Sequence, residues 1–163
     1  MKTALFVSLL ALFPLAANAE YEKVDMTVFG MDCAPCAHAI HVSMKGITGV
    51  DNVDVDLNTG LVSIQLTPGN VATMHQFNEA VERNGFTHKD AKIVAKGRIT
   101  GTASAPVLEV TGTEDKYALA ASAGAPNAAS FLGKTVTVTG VLPQVAKGKI
   151  PDALRYAAIT EAQ

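Results

Sequence analysis

The chain has 163 residues, with 13 Lys and Arg against 15 Asp and Glu and a formal net charge of −2. At 48% hydrophobic and 17% charged it has enough apolar material for a packed core and too little charge for a disordered chain, and the near-neutral balance argues against a strongly basic nucleic-acid binder. Two cysteines cannot build a multi-bridge disulfide framework, so whatever they do they do as a pair.

Residues 1–19 have the pattern of an export leader. Lys2 is the charged start, Ala4 to Leu12 is an apolar run, Phe13-Pro14 breaks it, and Ala17-Asn18-Ala19 fits a small-x-small cleavage site. Pro14 and Asn18 interrupt the stretch well short of the ~20 apolar residues of a membrane anchor. Cleavage after Ala19 is expected, leaving a soluble chain outside the cytoplasm, most simply in a periplasm, with no membrane insertion. That compartment is oxidising, which matters for a pair of thiols.

The rest divides into two textures. Residues 20–96 hold both cysteines and all four histidines, with 6 bases against 10 acids, a net of −4; residues 97–163 have no Cys or His, 6 bases against 5 acids and a net of +1. A boundary is expected near Lys96-Gly97. In the first part Val24, Met26 and Val28 alternate with Lys23, Asp25 and Thr27, a half-buried strand. Gly30-Met31-Asp32-Cys33-Ala34-Pro35-Cys36 follows and opens a helix to Met44, whose first turn suits Pro35. Val53, Val55 and Leu57 mark a second strand, Asn58-Thr59-Gly60 a hairpin turn and Leu61 to Leu66 a third strand. Met74, Phe77 and Val81 mark a second helix ending at Gly85, and Phe86 to Val94 is the fourth strand. The order strand, helix, strand, strand, helix, strand is the ferredoxin-like pattern, making this part α+β.

Residues 97–163 read as short strands at Arg98–Gly101, Val107–Thr111, Lys116–Ala121, Thr135–Val141 and Leu154–Thr160, with a short helix within Ala125–Leu132. Five strands with that helix resemble a small OB-type barrel. Nucleic acid is not its expected ligand: its only aromatics are Tyr117, Phe131 and Tyr156 and its charge is +1. A docking or scaffolding role is expected instead, and Lys147-Gly148-Lys149 reads as a solvated loop.

Cys33 and Cys36 stand where a strand meets a helix. Thiolates there feel the positive end of the helix dipole and free N–H groups, and two of them spaced by two residues can grip one ion without moving the backbone. Soft sulfur donors favour Cu(I), Hg(II) and other thiophilic ions, and two ligands suit a linear ion, whereas tetrahedral Zn(II) wants more. Gly30 to Cys36 resembles the GMxCxxC signature of heavy-metal-associated domains. The resemblance runs over residues 22–94 and includes Gly49-Val50, Val53-Asp54-Val55 and Gly85-Phe86; with the leader, the chain is similar to the periplasmic mercury-binding proteins and copper chaperones of that family. It implies that Cys33 and Cys36 bind the metal, that Met31 is a packing residue and not a ligand, and that the ion passes to a membrane transporter or another metal-binding domain. Asp32 departs from the Thr or His usual in mercury and copper members and resembles the metal domains of zinc, cadmium and lead exporters. It is read either as an accessory ligand favouring Zn(II) or Cd(II) or as a helix cap. His88, or Lys89, lies in the loop that approaches the metal in this family and is read as an accessory ligand or charge balancer. His38, His41 and His75 are expected on helix surfaces.

A binding protein, not an enzyme, follows from this reading. The alternative is a thiol-disulfide oxidoreductase using the same Cys33-x-x-Cys36. Against it, no Trp precedes Cys33 and no apolar-Thr-Pro segment follows.

Overall fold

The computed structural model describes residues 20–162, so the leader expected at 1–19 lies outside the described residues. The elements are β1 (Glu20–Phe29), α1 (Ala34–Lys45), β2 (Val50–Asp56), β3 (Leu61–Leu66), α2 (Met74–Arg83), β4 (Thr87–Thr102), β5 (Ala105–Glu109), β6 (Lys116–Ala121), β7 (Thr135–Leu142) and β8 (Ala153–Glu161), with a single 3-10 turn at Ala128–Phe131. Among the described residues no helix is long and apolar enough to cross a membrane.

The first six elements have the expected order, and their strands pair as β2-β3-β1-β4, antiparallel throughout. The buried faces follow from the residue pattern. Val24, Met26 and Val28 of β1 and Val62 and Ile64 of β3 are buried, as are Ile40 and Met44 of α1 and Met74, Phe77 and Val81 of α2. The N-terminus of α2 is closed by a capping box in which Thr73 Oγ1 accepts from Gln76 N and Gln76 Oε1 accepts from Thr73 N.

The expected boundary at Lys96-Gly97 falls inside a strand, where β4 runs on without a break for 16 residues. Its first part, Thr87 to Lys96, pairs with β1; its last part, Arg98 to Thr102, pairs with β5; and along its other edge Ala91 to Arg98 pairs with β7. The fourth and fifth expected strands are therefore one. Gly97 stands where β4 changes partner. A Cβ there would lie 2.4 Å from the Glu109 carbonyl oxygen and 2.8 Å from Leu108 Cδ1, so only glycine admits the approach of β5.

Beyond this point β4-β5-β6-β8-β7 pair in sequence, β7 pairs back with β4, and the ring closes; its β6–β8 pair is parallel. Closure leaves no free edge in these five strands. β5 begins two residues earlier than the alternation predicts, because its ladder with β4 starts at Ala105 opposite Thr102, and it ends two residues earlier, at Glu109, where the turn closed by Val110 N and Asp115 O begins. The helix expected within Ala125–Leu132 shrinks to one 3-10 turn, started by Asn127, whose side chain accepts from Ala129 N.

One contiguous hydrophobic cluster holds buried residues of both parts, from Tyr21 and Val24 to Leu154 and Ile159. At the junction Tyr21 Oη donates to Asp115 Oδ2 at 2.6 Å and lies 2.6 Å from Tyr117 Oη, while Met74 N, in the first turn of α2, donates to the same Asp115 oxygen at 2.9 Å. A buried carboxylate from the β5–β6 turn thus satisfies a helix-end N–H of the other part and complements its dipole. Burial, then the nearby Tyr117 and Asp115, hold the Tyr21 phenol well above its ordinary pKa, and burial followed by Asp115 does the same for Tyr117. Tyr21 also meets Phe77 edge-on, ring centroids 6.5 Å apart at 84°.

Candidate metal centre

β1 ends at Phe29 and the chain turns into α1 through Gly30, which adopts φ +90°, a left-handed conformation that glycine takes without a Cβ penalty. Met31 then points inward and is 4% exposed, in line with its reading as a packing residue. Asp32 is exposed, and Cys33 and Cys36 are half-buried. Cys33, in extended conformation, is the N-cap of α1, and its Sγ accepts from Cys36 N at 3.2 Å. Pro35 falls in the first turn as expected, where its missing N–H costs nothing. Since the sulfur of Cys33 fills the cap position, Asp32 does not; the capping reading of Asp32 is corrected.

The ligand-type atoms of Asp32, Cys33 and Cys36 all lie within 4.8 Å of one another. The two sulfurs form a disulfide, with Cα atoms 5.1 Å apart. Cys36 packs against the hydrophobic core, while the acid and the N-terminal end of α1 face outward. Neither sulfur can coordinate as a thiolate until that bond is reduced; then two soft anions and one hard one share a helix start.

His88 is not part of this group. It lies on β4 opposite Val28, is 4% exposed, and its Nε2 is 3.1 Å from Glu82 Oε1 on α2. The accessory-ligand expectation for His88 is corrected on this placement: strand alternation buries the side chain beneath α2, where a carboxylate engages it. Lys89, the next residue, holds its ammonium 5.3 Å above the ring of Phe29, which is 68% exposed beside the loop. His38 and His75 are exposed and His41 is half-buried; none joins the cysteine group.

Sequence reasoning missed two polar assemblies, Tyr21–Asp115–Tyr117 and Glu82–His88–Gly148. Their members are up to 96 and 66 residues apart. No local spacing could have joined them.

Residues 25–87 match the heavy-metal-associated domain family. The copper chaperone CopZ of Staphylococcus aureus (strain JH9) is 36% identical over 61 residues, 37% of this chain and 88% of that protein. The chain belongs to the heavy-metal-associated domain family. Among solved structures, a CopZ metallochaperone is 34% identical, covering 39% of this chain and 94% of that one with a TM-score of 0.37. The yeast copper transporter domain Ccc2A is 27% identical, covering 41% of this chain and 90% of that one with a TM-score of 0.38. The heavy-metal-associated match ends at residue 87, the first residue of β4, and does not reach β5 to β8.

Proposed function

We propose that this heavy-metal-associated protein captures a soft metal ion between Cys33 and Cys36 and passes it to a membrane transporter or another metal-binding domain outside the cytoplasm. The observation that carries the reading is the meeting of two sulfurs and the Asp32 carboxylate within 4.8 Å at the start of α1. A dithiol reductant first supplies two electrons and two protons to the Cys33–Cys36 bond and becomes a disulfide itself; the released thiols lose their protons as the ion binds. Transfer is ligand exchange: an incoming thiolate joins the two-coordinate ion before one protein sulfur leaves.

Cu(I) is the favoured cargo, since the metals named for the similar proteins above are copper and two thiolates satisfy a linear ion; Hg(II) suits the same pair. Cu(I) with two thiolates already carries one negative charge, and adding Asp32 would make it two. A divalent ion would be better served by all three groups, so Asp32 is the residue that keeps Zn(II) and Cd(II) open. The export reading of residues 1–19 supports a periplasmic location. The closed ring of β4 to β8, with its short helical turn before β7, fits an OB-type barrel, which we read as a docking scaffold.

Metal competition on the reduced chain against a chromogenic chelator tests this. Stoichiometric Cu(I) is expected, lost in Cys33→Ser and Cys36→Ser; unchanged affinity in both variants would refute the assignment. Asp32→Ala should leave Cu(I) affinity in place and weaken Zn(II). A second reading, thiol-disulfide exchange, is favoured by the bonded state of the pair at the helix start; turnover of a disulfide substrate with metal chelated would select it.

A further inference from the structure

We infer that Glu82 is a positioning residue for the metal loop, acting through the segment that joins β7 to β8. The inference rests on the metal-binding reading above and gives the ring of five strands a role in it. Glu82 lies in the last turn of α2, and its Oε1 takes two donors, His88 Nε2 at 3.1 Å and Gly148 N at 2.9 Å. Its side chain is 11% exposed. One carboxylate oxygen therefore ties α2 to β4 and to a segment of the ring 66 residues away. Two more side chains hold the same segment: Asn78 Nδ2 donates to Lys149 O at 3.4 Å, and Asp90 Oδ1 accepts from Gln144 N at 2.7 Å. All three tethers run from side chains of the first part to the backbone of residues 144–149.

Beneath the segment is a cavity of about 150 Å³ whose walls include Glu82, Phe86, His88 and Lys147. Phe86 lines this cavity and also reaches the turn before the metal loop. The ring of Phe86 lies 3.6 Å from where a Cβ on Gly30 would stand, and both Phe86 and Cys36 pack against the core. His88 lines the same cavity and lies opposite Val28, which precedes Gly30 by two residues. The tethered segment closes the space behind Phe86, and Phe86 backs the turn that presents Cys33 and Cys36. Without Glu82 the buried His88 loses its acceptor and the exposed Gly148 N loses its tether, the segment lifts, and the loop loses its support.

The test is the rate at which the full, reduced, Cu(I)-loaded chain gives up its ion to a chromogenic Cu(I) chelator. Outer partners of metal ligands typically change affinity ~10–100-fold, and Glu82 is one contact further out, so Glu82→Ala should release Cu(I) about three to ten times faster. Glu82→Gln keeps an oxygen acceptor and should restore the parent rate, a rescue that a purely electrostatic role would not give. Amide exchange at Gly148 should speed up in Glu82→Ala alone. Asp90→Ala, on an exposed tether and therefore safe for folding, should move release in the same direction. Release at the parent rate in Glu82→Ala despite lost Gly148 protection, or no effect of Asp90→Ala should Glu82→Ala not fold, overturns the inference. A parent chain that takes up no Cu(I) overturns the metal-binding reading instead, and this one with it.

Discussion

Asp115→Ala is the sharpest test of whether the two parts of this chain are one folding unit. The carboxylate is 4% exposed and accepts from Tyr21 Oη and from Met74 N, both belonging to the first part. Hydrogen bonds to a charged group contribute ~1.5–3 kcal/mol each. The interaction of an acid with a helix N-terminus adds ~0.3–1 kcal/mol, more when partly buried. Tyr21 keeps Tyr117 as a partner after the substitution, whereas Met74 N is left buried with none. Because the contacts share one network their effects do not add fully, and a loss of ~3–4 kcal/mol is expected. Against a typical domain stability of ~5–15 kcal/mol that is a large share. With a urea m-value of ~2–3 kcal/mol/M, the midpoint should fall by about 1–2 M. Equilibrium urea unfolding, followed by tyrosine fluorescence and far-UV circular dichroism, reads this directly. Both probes should move together, since Asp115 belongs to the ring of five strands and Tyr21 and Met74 to the metal domain. A midpoint shift below about 0.3 M, or two separated transitions in the parent chain, would refute the reasoning.

Stability should also fall in alkali. The folded Tyr21 and Tyr117 phenols are held above the ordinary tyrosine value, so their contribution is complete below the unfolded pKa of about 10 and is lost as pH rises from there towards the folded values. Unfolding free energies from urea titrations should stay level from pH 8 to near 10 and then drop up to pH 11.5 with a slope approaching ~2.7 kcal/mol per pH unit for two protons, and a flat profile would contradict the burial of both phenols. Gly97→Val places side-chain carbon 2.4 Å from the Glu109 carbonyl and should lower the melting temperature by roughly 5 °C or more, with cysteine reactivity after reduction unchanged. A chain ended at Lys96 exposes the β4 edge that β7 covers and removes Asp115 from Tyr21; a lower unfolding midpoint and self-association on gel filtration are expected, and equal stability would argue for independent parts.

Much of the metal domain was legible from residue order alone. The period-two runs in β1 and β3, the helical spacing of Ile40 and Met44 and of Met74, Phe77 and Val81, and the placement of Cys33 and Cys36 before Pro35 all rest on neighbours within a few positions. Local backbone geometry decides such features, and the structure agrees with them. Asp32 was found by its position next to Cys33, but the capping role offered for it belongs to Cys33. His88 shows the limit: its place near the metal loop in the chain suggested a ligand, but strand alternation turned the imbidazole-bearing side chain under α2 and onto Glu82.

Residue order by itself therefore determined the identity of the elements and the sulfur pair, because hydrophobic period and helix-start chemistry are local. Only the tertiary structure decided that β4 is a single 16-residue strand shared by both parts, that Asp115 closes α2 across the junction, and that Glu82 holds a distant segment behind Phe86. These depend on which surfaces meet after the chain has closed loops of many residues, and pairings at that separation leave no periodic trace in the sequence.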